Sequence, residues 1–416
     1  MKRTKGFSRR EFLGTAVAGA AGIGLTSLGR LEAGQAKAAP APGTKAATPA
    51  PGKLLTRTLG RTGLRIPVVS MGVMNSDIPQ LVKRAYDLGL THFDTAASYW
   101  RGKNEEMVGQ AIREMGVRDK TVIATKIMAP EIRQRLDRTR TKATYLEMLE
   151  ASLKRLRMDH VEIVYVHDVS DPKDVSDQGL LEGMAAAKKQ GKTRAVGFST
   201  HREMAACLEE AMKVGTYDAV LTTYNYSLEP YPVILKTMEK AVASGIGLVA
   251  MKTQCQQEWY REELPPELQA YYKGTMVHSA LLKWVLNHPC FTTAVPGFTA
   301  VDQLEEDAAC ALSLDYTPAE RKFLEDRKVK LALSAACRQC ASCLATCPKG
   351  ADVPNLMRAH MYAFSYGNPV QARDTLDEPG VRESLRRCGD CTSCLAVCSG
   401  RVPIGRRITQ LRQIFA

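Results

Sequence analysis

No G-x-G-x-x-G follows the first β-rich run of this 416-residue chain, so a doubly wound dinucleotide-binding sheet lacks its phosphate-binding turn. No basic stripe interleaved with aromatics accompanies the net charge of +13, and only 6% of residues are aromatic, which leaves nucleic-acid binding little support. A strong membrane span is missing as well. The apolar run from Leu13 to about Leu28 is short and broken by Gly14, Gly19, Gly22 and Gly24. What the chain does have is 45% hydrophobic residues, enough for a substantial core, and a length that allows two domains or one large barrel with an appendage.

The N-terminus has the three-part layout of a secretory signal. Lys2, Arg3, Lys5, Arg9 and Arg10 precede the apolar run, and Ala36-Lys37-Ala38 offers a small-x-small cleavage site. Ser8-Arg9-Arg10-Glu11-Phe12-Leu13 resembles the twin-arginine export motif in full, which implies the twin-arginine translocon as a partner and a periplasmic address. Residues 1–38 are therefore expected to be a signal peptide. Cleavage after Ala38 removes seven basic and two acidic residues and lowers the net charge to +8. Residues 39–53, rich in Ala, Pro, Gly and Thr, read as a flexible linker.

From residue 54 to 315, strand-like and helix-like runs alternate. The β-rich segments are 67–71, 91–94, 121–126, 161–167, 195–199, 219–223, 247–252 and 291–296. Between them, 78–88, 104–115, 143–157 and 175–190 carry apolar residues at three- and four-residue spacing. Eight such units predict an α/β fold of the (β/α)8 TIM-barrel kind, with residues 55–66 as a hairpin closing its bottom. A charged amphipathic helix is expected over 317–333, with Thr317 as its cap and Pro318 in its first turn.

Residues 316–416 form a different domain. Of the twelve cysteines, Cys207, Cys255, Cys290 and Cys310 are scattered and read as small buried hydrophobes. The other eight fall in two identical C-x2-C-x2-C-x3-C runs, Cys337, Cys340, Cys343, Cys347 and Cys388, Cys391, Cys394, Cys398, offset by 51 residues. This is the bacterial ferredoxin spacing, which supplies two complete sets of ligands for two [4Fe–4S] clusters. Disulfides fit it poorly because two identical runs of close C-x2-C spacing make poor disulfide partners, and zinc because the third and fourth cysteines of each run are surplus to a pair of C-x2-C knuckles. The first run is followed by Pro348, as the motif expects, and the second by Ser399. The motif implies that the fourth cysteine of each run ligates the other run's cluster. The helical character of 355–366 and 369–376 in the 40-residue gap makes the domain resemble the α-helical ferredoxins.

Phe93-Asp94-Thr95-Ala96-Ala97-Ser98-Tyr99 resembles the F-D-T-A-x-x-Y signature of aldo-keto reductases. Lys126 and His167 stand at the ends of the third and fourth β-rich runs, where barrel enzymes place their chemistry. The resemblance, over roughly residues 54–310, implies a catalytic tetrad. Tyr99 would be the proton donor, its pKa lowered by Lys126; Asp94 would hold Lys126; and His167 would orient a carbonyl substrate. It also implies NAD(P)H, with Ser199 at the carboxamide and Glu306 and Asp307 on the adenine side. Three departures weaken that cofactor. Leu221 stands where the family commonly has Gln, Met251-Lys252 where a stacking Tyr often ends strand seven, and residues 295–299 and Gln303 offer no cation for a 2′-phosphate.

The expectation is an iron–sulfur oxidoreductase that interconverts a small-molecule carbonyl and alcohol and relays electrons through its clusters. Hydride transfer moves two electrons and each cluster one, so a two-electron intermediary, a flavin or a redox partner protein, is required. The alternative is an electron-transfer protein in which the barrel is a docking platform. The long aromatic segment 253–275 is a candidate lid, with packing as an equal alternative.

Overall fold

The computed structural model describes residues 54–134, 136–228, 232–254, 276–333 and 337–415. The signal, the linker, Cys255 and nearly all of the candidate lid lie outside the described residues. Two short strands, β1 (Thr56–Thr58) and β2 (Arg65–Pro67), pair antiparallel. Eight more, β3 (Met71–Gly72), β4 (His92–Asp94), β5 (Val122–Ile127), β6 (Val161–Val166), β7 (Thr193–Thr200), β8 (Ala219–Thr223), β9 (Gly247–Met251) and β10 (Phe291–Ala294), form one parallel sheet in chain order. Parallel bridges Val69–Ala294 and Gly72–Gly297 join its first and last strands, so the sheet closes into a barrel.

The alternation of the strands produces two cores. One set of side chains packs outward under the helices. The inward set, including Ala124, Ile163, Tyr165, Leu221 and Val249, meets Leu59, Leu64 and Ile66 of the hairpin, which thereby plugs the barrel's lower end. Gly60, at φ +44°, lets the plug touch the barrel: a Cβ there would lie 2.3 Å from the amide nitrogen of Gly247.

Several boundaries differ from the sequence reading. The first expected strand, 67–71, is divided, because Pro67 closes the hairpin while Val69 and Ser70 already bond to Ala294. The helix expected over 175–190 starts at Gln178, where the Asp177 side chain accepts from the Leu180 amide and caps it. Thr317 caps its helix with a capping box shared with Glu320, but that helix ends at Glu325 because Asp326 is extended. A second short helix then runs from Arg327 to Leu333.

The C-terminal domain is helical: Val353–His360, Pro369–Leu376, Val381–Arg387 and Ile404–Phe415 pack around Leu356, Met357, Leu376, Leu385 and Leu411. The first of these passes into a π-helical turn, Met361–Ser365. Such turns commonly mark functional segments. Among the described residues, no helix is long and apolar enough to cross a membrane.

Candidate functional site

The C-terminal ends of the strands bring Asp94, Tyr99, Lys126 and His167 to one cavity of about 80 Å³. The Lys126 ammonium is buried, bonds to an Asp94 carboxylate oxygen, and donates to the Thr95 carbonyl at 2.8 Å. It lies 4.7 Å from the centre of the Tyr99 ring, whose edge meets His167 at 5.7 Å between centroids. Burial raises the Asp94 carboxyl and lowers the Lys126 ammonium, and the attraction between the two opposes both shifts. His167 is pushed down to about 3 by burial and then by Lys126, so it is neutral at physiological pH. Its Nδ1 lies 3.3 Å from the Ser98 hydroxyl.

Tyr99 corrects the sequence argument. Its hydroxyl is held well above the usual tyrosine value, first by burial and then by the charges of Asp94 and Asp168. The nearby ammonium does not lower it, because Asp94 answers that charge at close range. Tyr99 therefore keeps its proton at neutral pH.

Ser199 lines the same cavity and accepts the Asp168 amide at 2.9 Å. Asp307 does not reach it directly. Its two oxygens accept from Gln254 Nε2 at 2.6 and 2.8 Å, and Gln254 forms part of the wall. Burial, then the Glu306 charge, holds the Asp307 carboxyl well above its usual range. Glu306 is exposed and outside the cavity.

The helical domain supplies wall residues that the sequence reading missed, Tyr362 and Tyr366. Arg358 bonds to Asp168, the neighbour of His167, and to Glu378 at 2.5 Å, while Arg202 of the barrel donates to Asp352 at 3.1 Å. Between these contacts lies a second, polar cavity of about 250 Å³ that shares His167, His201 and Tyr362 with the first. The one available signal was the departure at Lys252, which also faces the first cavity.

The eight cysteines divide between two further cavities. Cys337, Cys340, Cys343 and Cys398 line one, and Cys347, Cys388, Cys391 and Cys394 line the other. The end of each run lies against the other run: the Val397 amide donates to Thr346 at 2.8 Å, and the Ser342 and Ser399 hydroxyls are 3.3 Å apart. Sulfur acceptors are provided for, since Gln339 Nε2 and the Gly400 amide donate to Cys337 and Cys398, each at 3.3 Å. The positive charges of Arg407 and Arg412 act on Cys337 and Cys388, where ligated thiolates would accumulate negative charge. A four-cysteine lining, donors aimed at sulfur and adjacent cations all suit an anionic iron–sulfur cluster in each cavity.

Proton-coupled carbonyl chemistry uses a protonated donor in a cavity, and thiolate-held iron carries single electrons. A barrel with the first, packed against a domain built for the second, is an iron–sulfur oxidoreductase. Within that class the chain belongs to the aldo/keto reductase family, whose model matches residues 72–321, and residues 336–403 match a 4Fe-4S dicluster domain. The aldo-keto reductase YhdN of Bacillus subtilis is 30% identical over 254 residues, covering 54% of this chain and 76% of that protein. In structure the chain is similar to the holo form of aldo-keto reductase AKR11C1 from Bacillus halodurans (TM-score 0.54, 20% identity, 67% of this chain and 99% of that one). It is similar also to an aldo/keto reductase from Klebsiella pneumoniae in complex with NADP and acetate (TM-score 0.51, 23% identity, 65% and 94%).

Proposed function

We propose that this oxidoreductase interconverts a carbonyl and an alcohol at the barrel mouth and exchanges the electrons through two [4Fe–4S] clusters, after export to the periplasm by the twin-arginine route. The observation that carries the reading is the shared wall. The cavity holding Tyr99, Lys126 and His167 is completed by Tyr362 and Tyr366 of the cysteine domain.

In the reductive direction Tyr99 donates its proton to the carbonyl oxygen, and neutral His167 hydrogen-bonds the same oxygen and orients it. Lys126, held by Asp94 and lying against the Tyr99 ring, fixes the position of that ring for the transfer. A bound nicotinamide would supply the hydride, with Ser199 as its carboxamide partner, as the NADP named with the Klebsiella pneumoniae relative suggests. Asp307 would act on the adenine side through Gln254, and Glu306 from the exposed rim. The cluster ligands would be Cys337, Cys340, Cys343 and Cys398 for one and Cys347, Cys388, Cys391 and Cys394 for the other, each cluster moving one electron at a time, so that a two-electron intermediary, a flavin or a redox partner protein, would join them to the hydride donor.

The test is anaerobic assay of the iron-loaded protein with NADH, NADPH or reduced viologen against a panel of aldehydes and ketones, beside Tyr99→Phe. Carbonyl reduction is expected in the wild type, with kcat in Tyr99→Phe reduced about 10²–10⁴-fold. Electron transfer unchanged in Tyr99→Phe, with no carbonyl turnover in either protein, would instead establish the barrel as a docking platform.

A further inference from the structure

Lys252 follows the last residue of β9 with a left-handed backbone, φ 57°. Its ammonium is directed at the cavity of Tyr99 and Lys126, 3.2 Å from His201 Nδ1, 3.3 Å from the Tyr362 hydroxyl and 5.3 Å from the centre of the Tyr362 ring. The charges around it are already matched to one another. Lys126 is bonded to Asp94, and Arg358 to Asp168 and Glu378. Among the described residues, Lys252 has no carboxylate within ion-pair distance. A half-buried ammonium in the wall of a reaction cavity, hydrogen-bonded to a neutral imidazole and a phenol rather than to a carboxylate, is suited to an anionic ligand.

We propose that Lys252, assisted by the Tyr362 hydroxyl, seats the carboxylate of the substrate, so that this barrel takes short oxo acids in preference to neutral carbonyl compounds. This rests on the carbonyl-reducing reading of the same cavity. Lys252, Tyr362 and Tyr99 line one cavity, so the seated carboxylate and the reacting carbonyl belong to one small ligand. Because Tyr362 belongs to the cysteine domain, the seat is complete only when the two domains are together.

The electrostatics agree. Burial, then the charge of Arg358, brings Lys252 down to about 7; Asp168 opposes this and Lys126 adds to it, while His201 and Tyr362 face the ammonium as neutral groups. A carboxylate arriving at the ammonium would restore its proton affinity, so binding near pH 8 takes up a proton, and affinity declines as pH rises above 7.

Calorimetry of the anaerobic, iron-loaded protein with oxamate, a non-reducible oxo-acid analogue, tests the seat apart from turnover. Wild type is expected to bind oxamate and to ignore the neutral analogue oxamide. Lys252→Met should bind oxamate at least tenfold more weakly, Lys252→Arg should recover most of the affinity, and Tyr362→Phe should lose a smaller part. Iron content and melting temperature establish that each variant is folded. In turnover, Lys252→Met should raise KM for glyoxylate by a larger factor than KM for glycolaldehyde. Oxamate binding equally to Lys252→Met, or not to wild type, overturns the seat even if glycolaldehyde is reduced. Oxamate binding by a protein that reduces no carbonyl would sink the catalytic reading and leave the seat standing.

Discussion

The guanidinium of Arg358, on the cysteine domain, is bonded to the carboxylate of Asp168, one residue beyond His167 in the barrel. Its second nitrogen holds Glu378, so one nearly buried cation serves two carboxylates at the domain boundary. Removing one partner of such a group costs about 3–5 kcal/mol, because the charges left behind stay away from water. Arg358→Met should therefore lower stability by about that much and expose the boundary to proteolysis, as denaturant titration and limited digestion would show. Ordinary surface pairs, such as Lys142 with Glu182, should change little by comparison.

The same contact has a pH signature. Burial would raise the Asp168 carboxyl, but the Arg358 guanidinium bonded to it outweighs burial and holds the group below the ordinary carboxylate range. A depressed folded pKa adds stability that is complete above the unfolded value of about 3.9 and is lost as pH falls toward the folded one. Wild type should lose stability steeply below about pH 4, and in Arg358→Met the part of that slope due to Asp168 should disappear. Equal acid slopes in the two proteins would remove Asp168 from the account.

Much of the barrel was legible because its signals are local. Strand period, turn glycines and the order of Asp94, Tyr99, Lys126 and His167 depend on neighbours a few residues away, and strand ends are where a barrel converges. The two cysteine runs were legible for the same reason. Lys252 was visible only as a departure, since its meaning depends on which charges lack partners in three dimensions. Tyr362 and the Arg358–Asp168 contact were invisible, because no spacing rule relates residues 190 apart across a domain boundary. The direction of the Tyr99 shift was missed because burial, its largest cause, cannot be read from a single aromatic position.

Asp94 and Lys126 form a buried pair that should behave as a unit. Asp94→Asn leaves the ammonium without its bonded carboxylate and with neutral oxygens such as the Thr95 carbonyl, so about 3–5 kcal/mol of stability and most turnover should be lost. Asp94→Asn with Lys126→Met removes the stranded charge and should regain part of the stability but none of the turnover. Failure of the double variant to regain any stability in a denaturant titration would mean that Asp94 acts through packing rather than charge.

The crossed cysteine sets give a count that an uncrossed arrangement cannot. Cys340 and Cys398 line one cavity and Cys347 the other, although Cys340 and Cys347 belong to one run. Cys340→Ala with Cys398→Ala should strip a single cluster, leaving about four irons per chain and one unperturbed paramagnetic signal on reduction. Cys340→Ala with Cys347→Ala should damage both clusters and alter both signals. If ligation followed the runs instead, the outcomes would exchange: the first pair would disturb both clusters and the second only one. Anaerobic iron counting with electron paramagnetic resonance on the two double variants decides between them, because each arrangement predicts a different variant to retain an intact cluster.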